Sequence, residues 1–287
     1  MSIAVETLHS VQQLRGVVAL QQQSNHEHPS EVWRLSHLLD IHQSGGLILG
    51  TPCSSMNQQL QGTLVDLVAE VDGYPARRTV VWAVDLAGRN RGIGSMLRMY
   101  ERIHLQREGV DLVYWDIDPL SSVDLHLALN KLGGIATAYS CEAPDELDSS
   151  LAMSIPADRF RIEWWIDSPR VIDRIDHGHA PPHQSIGLHE MVVLTKTATL
   201  SSGVRGLLAC TPGDSSEYLL IEVPEDLDVL RSRDAAAAIQ WREKTRAVLA
   251  QRFQLGYQGV GLIHEAGRSF ILFKKGTRRT ALGAARD

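Results

Sequence analysis

The chain has 287 residues, 44% of them hydrophobic, enough for one large core or two modest ones, and 28 basic against 34 acidic side chains leave a formal charge of -6. That balance excludes a basic field that would draw the protein to nucleic acid or to an anionic membrane. No apolar run approaches the roughly 20 residues that span a bilayer, and the three scattered cysteines (Cys53, Cys141, Cys210) suggest neither a disulfide framework nor a thiolate zinc site, so a soluble protein of the reducing cytoplasm is expected.

Apolar spacing predicts a strand within Ser2 to Leu8, a helix over Val11 to Gln22 capped by Ser10, and a second helix from Pro29 that ends before Gly45. Leu47 to Leu49 reads as a short strand, Pro52 to Gln61 as a polar turn and Leu64 to Val71 as the next strand. Asp72-Gly73 is a hairpin signal that leads into the apolar strand Val80 to Val84. A polar turn, Asp85 to Asn90, then opens a helix whose face is marked by Ile93, Leu97, Tyr100, Ile103 and Leu105 and which stops at Gly109. A strand (Asp111 to Ile117), a helix (Val123 to Leu132) closed by Gly133, a strand (Ile135 to Tyr139), an acidic loop (Cys141 to Ser150) and an alternating strand (Phe160 to Ile166) follow.

Residues 168–185 have linker composition and include His177, His179 and His183. Beyond them come strands at Gly187 to Leu194, Arg205 to Cys210 and Tyr218 to Val223, a helix from Asp234 to Leu255, two last strands and a basic tail. This order of elements is α+β, not a regular doubly wound sheet. The expected organisation is a first domain over 1–167, a linker over 168–185, a smaller C-terminal α+β domain over 186–275 and a tail over 276–287.

The turn from Asp85 to Ser95 holds the chemistry. A strand that ends in a turn of free backbone N–H groups, at the positive end of a helix, is a seat for a phosphate. Gly92 and Gly94 let the backbone approach a pyrophosphate, which the N–H groups of Arg91, Ile93 and Ser95 would cradle. The alternative is a helix start that needs glycine only for close packing.

Arg89-x-x-Gly92-x-Gly94 resembles the Q/R-x-x-G-x-G/A signature of the GNAT acyltransferase superfamily. Asp118-Pro119-Leu120, Asn130-Lys131-Leu132-Gly133, Pro156-Ala157-Asp158-Arg159-Phe160 and Glu163-Trp164 further resemble a subgroup of predicted GNAT acyltransferases, some of them encoded beside N-acylamino acid racemase-like enzymes. The resemblance implies a GNAT-type mixed, mostly antiparallel sheet flanked by helices. It also implies acetyl-CoA or another acyl-CoA as co-substrate, with no metal, and transfer of an acetyl or succinyl group to the amino group of a small molecule such as an amino acid. Pantetheine would lie between two splayed strands and pair with backbone at Trp82, Val84 and around Tyr114 to Asp116, while Arg89, Arg91, Gly92, Ile93, Gly94 and Ser95 hold the pyrophosphate. The C-terminal domain would cover the acceptor site or build a homodimer.

Direct attack by a neutral amine on a thioester needs a donor for the carbonyl oxygen, a route for the ammonium proton and an acid for the departing thiolate. The resemblance implies a tyrosine as that acid, and the equivalent position is Leu129. The candidate substitutes are Asp118, His126, Tyr139 and Glu70. Asp118 is either a site residue at a strand end or a cap, His126 a proton carrier or a bystander, Tyr139 an acid or packing, and Glu70 a base or part of a solvated face. Glu163, Trp164 and Trp165 either line an acceptor pocket or fill the sheet face. The alternative to an enzyme is a catalytically degenerate protein of this fold that binds acyl-CoA or a protein partner as a sensor or structural subunit.

Overall fold

In the computed structural model the described residues are 4–24, 32–53, 59–89, 91–141, 158–179, 191–211 and 215–276. The chain packs as two compact units, residues 1–115 and 116–287, both of them α+β.

In the first unit α1 (Val11–Ser24), α2 (Leu35–Gln43) and α3 (Ile93–Glu108) flank the strands β1 (Glu6–Thr7), β2 (Leu47–Pro52), β3 (Leu60–Val71), β4 (Tyr74–Val84) and β5 (Leu112–Ile117). The strands lie in chain order, antiparallel except for the parallel pair β4 and β5. Leu14, Val17, Leu38 and Ile41 of α1 and α2 close over Ile48, Val65 and Val81, so one core lies on that face. The hairpin signal is realised, with Asp72 at φ 52° and Gly73 at φ 82°.

Helix α3 corrects one expectation. Tyr100 and Ile103 are exposed, and the buried face is instead Ile93, Leu97, Arg98, Glu101, Arg102 and Leu105. Charged side chains lie where an apolar stripe would be, and Arg98 and Glu101, three positions apart, bond each other inside the fold.

The second unit holds α4 (Ser122–Leu125), which runs on as a π-helix over His126–Lys131, then β6 (Ile135–Cys141), β7 (Asp158–Trp165), α5 (Pro169–Ile175), β8 (Val192–Val193), β9 (Thr195–Thr199), β10 (Arg205–Cys210), β11 (Tyr218–Val223), α6 (Leu227–Arg233), α7 (Ala235–Gln254), β12 (Tyr257–Glu265) and β13 (Arg268–Lys275). Its larger sheet runs β7-β6-β12-β13-β11-β8, antiparallel except for β11 with β8, and β9 pairs with β10 separately. Ile135, Leu220, Val260, Phe270 and Leu272 form one core cluster, and the Phe253 ring on α7 stacks edgewise on Phe160 and Phe273.

The π segment has a visible cause. The Asn130 side chain accepts from the Leu262 N–H at 2.9 Å and donates to the Leu262 carbonyl at 2.6 Å, standing in for a strand partner of β12. The wider turn brings the amide to that edge. The helix expected from Asp234 is preceded by α6, which Asp226 caps through the Val229 N–H. The expected linker begins with α5, capped by Ser168. The acidic loop expected after Cys141 lies outside the described residues, as do His183 and the tail beyond Gly276.

Candidate functional site

The expected phosphate seat falls on a bulge, a parting of strands and a helix start without a described side-chain cap, all in the first unit. Val65 pairs with Val81 and Asp66 with Thr79, so Val80 is an extra residue in β4. Such a bulge bends its strand and sharpens the local twist. The β4 and β5 register runs through Ala76–Leu112, Arg77–Val113 and Arg78–Tyr114 and stops there, although β4 continues to Val84. The backbone edge of β4 beyond Arg78, which includes Trp82 and Val84, therefore leaves the ladder.

A 3-10 turn, Leu86–Gly88, then leads to α3. Asp85 folds back so closely that a Cβ on Gly88 would stand 2.3 Å from its Oδ1. Gly92 caps α3 in the left-handed region, at φ 80°, with open space where a side chain would point. No side chain caps the helix, and the N–H groups of Ile93, Gly94 and Ser95 have no acceptor among the described residues. Three unpaired donors at the positive end of a sixteen-residue helix, flanked by the exposed Arg89 and Arg91, suit a multiply charged anion. A Cβ on Gly94 would make only ordinary contact with the Trp82 ring at 3.5 Å, so the protein itself has room for a side chain there.

Beneath the seat lies a buried ionic group that the sequence reading missed. Arg98 donates through Nη1 to Thr79 Oγ1 at 2.8 Å and to both Glu101 oxygens at 3.0 and 2.8 Å. Its Nε and Nη2 find no hydrogen-bond acceptor among the described residues, and the centroids of the Trp82 and Trp115 rings lie 4.3 and 4.0 Å from the guanidinium carbon. Burial pushes the Glu101 carboxyl well above its usual range, against the pull of Arg98, and the neighbouring Asp66 raises it further. Burial raises Asp66 as well, against the pull of Glu101 and Arg98. A usable signal was present in the sequence: Arg98 and Glu101 share the helical face of Leu97 and Leu105.

Three of the four candidate acid and base residues, Asp118, His126 and Tyr139, lie in the second unit, and these three are not brought to one point. Asp118 accepts from the N–H of Leu120 at 2.8 Å and from Arg242 Nη1 at 2.7 Å. The helix cap is instead Ser121, whose hydroxyl accepts from the Asp124 N–H, while Asp118 closes the turn before it within an ion pair to an arginine that is almost wholly buried. Tyr139 donates its hydroxyl to Asp158 at 2.9 Å, and Asp158 also accepts from Arg246 at 3.0 Å. Burial, then the Asp158 charge, raise the Tyr139 phenol far above its ordinary value, so it stays protonated with its proton already committed. Arg242 and Arg246, one turn apart on α7, thus hold two of the three candidates.

His126 is exposed, with Nδ1 3.3 Å from the Asn130 amide nitrogen. Partial desolvation, then repulsion from Lys131 and His264, lower its pKa and keep it neutral near pH 7. Its Nδ1 accepts from that amide, so the neutral ring carries its proton on Nε2, and of these three residues it alone is hydrogen-bonded only to a neutral partner. Glu70 is exposed, which matches the solvated-face reading, and Leu129 is fully buried in the core. Trp164 is packing, with its indole N–H on the Leu132 carbonyl at 2.8 Å, and Trp165 donates to Glu163 at 3.0 Å.

No protein-family model and no curated protein matches this chain. Among solved structures it is similar to the ribosomal-protein-S18-alanine N-acetyltransferase from Escherichia coli, at 14% identity over 56% of this chain and 92% of that one, with a TM-score of 0.44. It is similar also to a probable acetyltransferase from Staphylococcus epidermidis, at 12% identity over 57% and 98% of the two chains and a TM-score of 0.46. A GNAT family N-acetyltransferase from Escherichia coli in complex with CoA matches at 20% identity over 42% and 66%, with a TM-score of 0.35.

Proposed function

We propose that this chain is a GNAT-type N-acyltransferase that moves an acyl group, acetyl or succinyl, from acyl-CoA to the amino group of a small molecule, an amino acid being the first class to test. The observation that carries the reading is that β4 leaves β5 after Arg78 and then opens an uncapped helix at Gly92. A pantetheine amide chain suits the freed strand edge at Trp82 and Val84. A pyrophosphate suits the donors of Ile93, Gly94 and Ser95 beside Arg89 and Arg91.

In the reaction the amine nitrogen forms a bond to the thioester carbonyl carbon, the carbon–sulfur bond breaks, and the ammonium proton must leave. A backbone N–H of the freed β4 edge near Ala83 or Val84 supplies a donor for the carbonyl oxygen. Among the acid and base candidates of the second unit, His126 is neutral and exposed, and its ring can carry a proton once Nδ1 is released from the Asn130 amide. Asp118 and Tyr139 serve as structure, because each is already satisfied by an ion pair or hydrogen bond.

The fully buried Leu129 favours a second reading, an acyl-CoA-binding protein without turnover. Release of free CoA thiol from acetyl-CoA and succinyl-CoA, screened against L- and D-amino acids, separates the two. Turnover with one acceptor class is expected, whereas tight CoA binding with no thiol release from any acceptor supports the binding protein.

A further inference from the structure

We propose that Asp173, His177 and His179 form a three-ligand site for a divalent transition-metal ion of the zinc class. In the sequence the His177-x-His179 pair is a weak metal signal, because no carboxylate or cysteine recurs at ligand spacing. Folding supplies one. Asp173 sits in the last turn of α5, and the chain after the helix doubles back over it.

That return is held by backbone. The N–H of His177 donates to the Ile172 carbonyl at 3.3 Å, the N–H of His179 to the Asp173 carbonyl at 3.1 Å, and Arg174 Nη1 to the His179 carbonyl at 3.1 Å. The helix beneath is itself anchored, since Arg170 donates to the Gly133 and Leu129 carbonyls at 2.9 and 3.1 Å. The imidazoles are therefore presented by a braced turn.

Asp173 Oδ1 lies 2.5 Å from His179 Nδ1 and 3.9 Å from His177 Nδ1, and the ligand atoms of the three residues fall within 4.8 Å of one another. Ligands at about 2.0–2.1 Å from a tetrahedral zinc stand about 3.4 Å apart, so each of these two spacings needs to change by under about 1 Å. Arg174 Nη1 holds the second oxygen, Oδ2, at 3.0 Å, which leaves Oδ1 turned to the histidines. Ion pairing would hold each histidine to the carboxylate singly, whereas here both Nδ1 atoms face the one oxygen, Oδ1.

Two imidazoles with one carboxylate select zinc, cobalt, nickel or copper over calcium or magnesium, which take oxygen ligands. Both histidines are more than half exposed, so a fourth position is open to water. The site closes the end of α5 and owes nothing to acyl transfer.

The test uses the full chain after treatment with a chelator, titrated with zinc by calorimetry and with cobalt by visible absorption. One ion per chain is expected, with ligand-field bands of a low-coordinate cobalt site and no competition from calcium. Asp173→Asn, His177→Ala and His179→Ala should each weaken binding about tenfold or more with an unchanged circular dichroism spectrum. The absence of stoichiometric binding would overturn the proposal. So would zinc binding that survives in the His177→Ala/His179→Ala double variant, since the ion would then be held by other histidines of the chain.

Discussion

The guanidinium carbon of Arg98 lies 4.0 Å from the centre of the Trp115 ring, and neither side chain has appreciable access to water. Trp82 of β4 also lies against Arg98, with its ring centre 6.0 Å from that of Trp115, so one cation from α3 touches both strands just past the point where their ladder ends. The parting of β4 from β5 is thus occupied on the α3 side by a neutralised ionic group, held in place by Thr79 and Glu101.

Removing the cation should be far worse than removing the proton it faces. Arg98→Ala strands two buried carboxyls and should cost roughly 3–5 kcal/mol in urea unfolding. Glu101→Gln replaces a protonated acid by a neutral amide of similar shape and should cost about 1 kcal/mol. The pH dependence has a definite sign. Because the folded-state pKa of Glu101 is raised, its contribution is complete below the ordinary value of 4.5 and is lost as pH rises from there through the folded value. The wild type should accordingly lose stability relative to Glu101→Gln above pH 4.5, by at most about 1.4 kcal/mol per pH unit.

Asp118→Asn should behave as a stability variant. Its carboxylate answers an arginine with 2% side-chain exposure, so the melting temperature should fall and the unfolding free energy should drop by as much as about 3 kcal/mol. Turnover per folded molecule, read by thiol release at low temperature, should stay within a few-fold of wild type. A collapse in turnover without a change in melting would make Asp118 a catalytic group instead.

His126→Gln should do the opposite. Melting should be unchanged, while kcat falls by about 100-fold, the lower end of what a positioned base contributes. In the wild type kcat should rise with pH through an inflection below 6.5, because burial and the nearby cations hold the imidazole pKa down. That inflection should vanish in the variant, and its persistence would assign the proton route elsewhere.

Asn130→Ala leaves both the N–H and the carbonyl of Leu262 without their side-chain partner. At about 1–3 kcal/mol for each unsatisfied group, a loss of roughly 2–6 kcal/mol is expected in denaturant titrations. Asn130→Asp restores the acceptor and loses the donor, so it should fall between the alanine variant and wild type.

The strand, turn and helix around the seat were legible because their signals are local: an apolar run, a polar turn and a glycine where the backbone needs a positive φ. The buried face of α3 was misread, since Arg98 and Glu101 look solvated until Asp66 and Thr79 are brought beside them from other strands. The chemistry was least legible for the same reason. Asp118 meets Arg242 across 124 positions of sequence, and Tyr139 meets Asp158 and Arg246, so whether a carboxylate or phenol is free to act depends on partners that no spacing reveals. Asp226 before α6 is a case where a local capping signal was present and could have been used.

The central claim stands or falls on the seat at Gly92, and calorimetric titration of CoA into wild type and Gly92→Asp tests it most directly. Wild type should bind one CoA per chain. Gly92→Asp, which puts both a strained φ and a negative charge at the mouth of the helix, should weaken binding at least about 100-fold with its secondary structure intact. CoA bound equally well by both proteins, or by neither, would contradict the account.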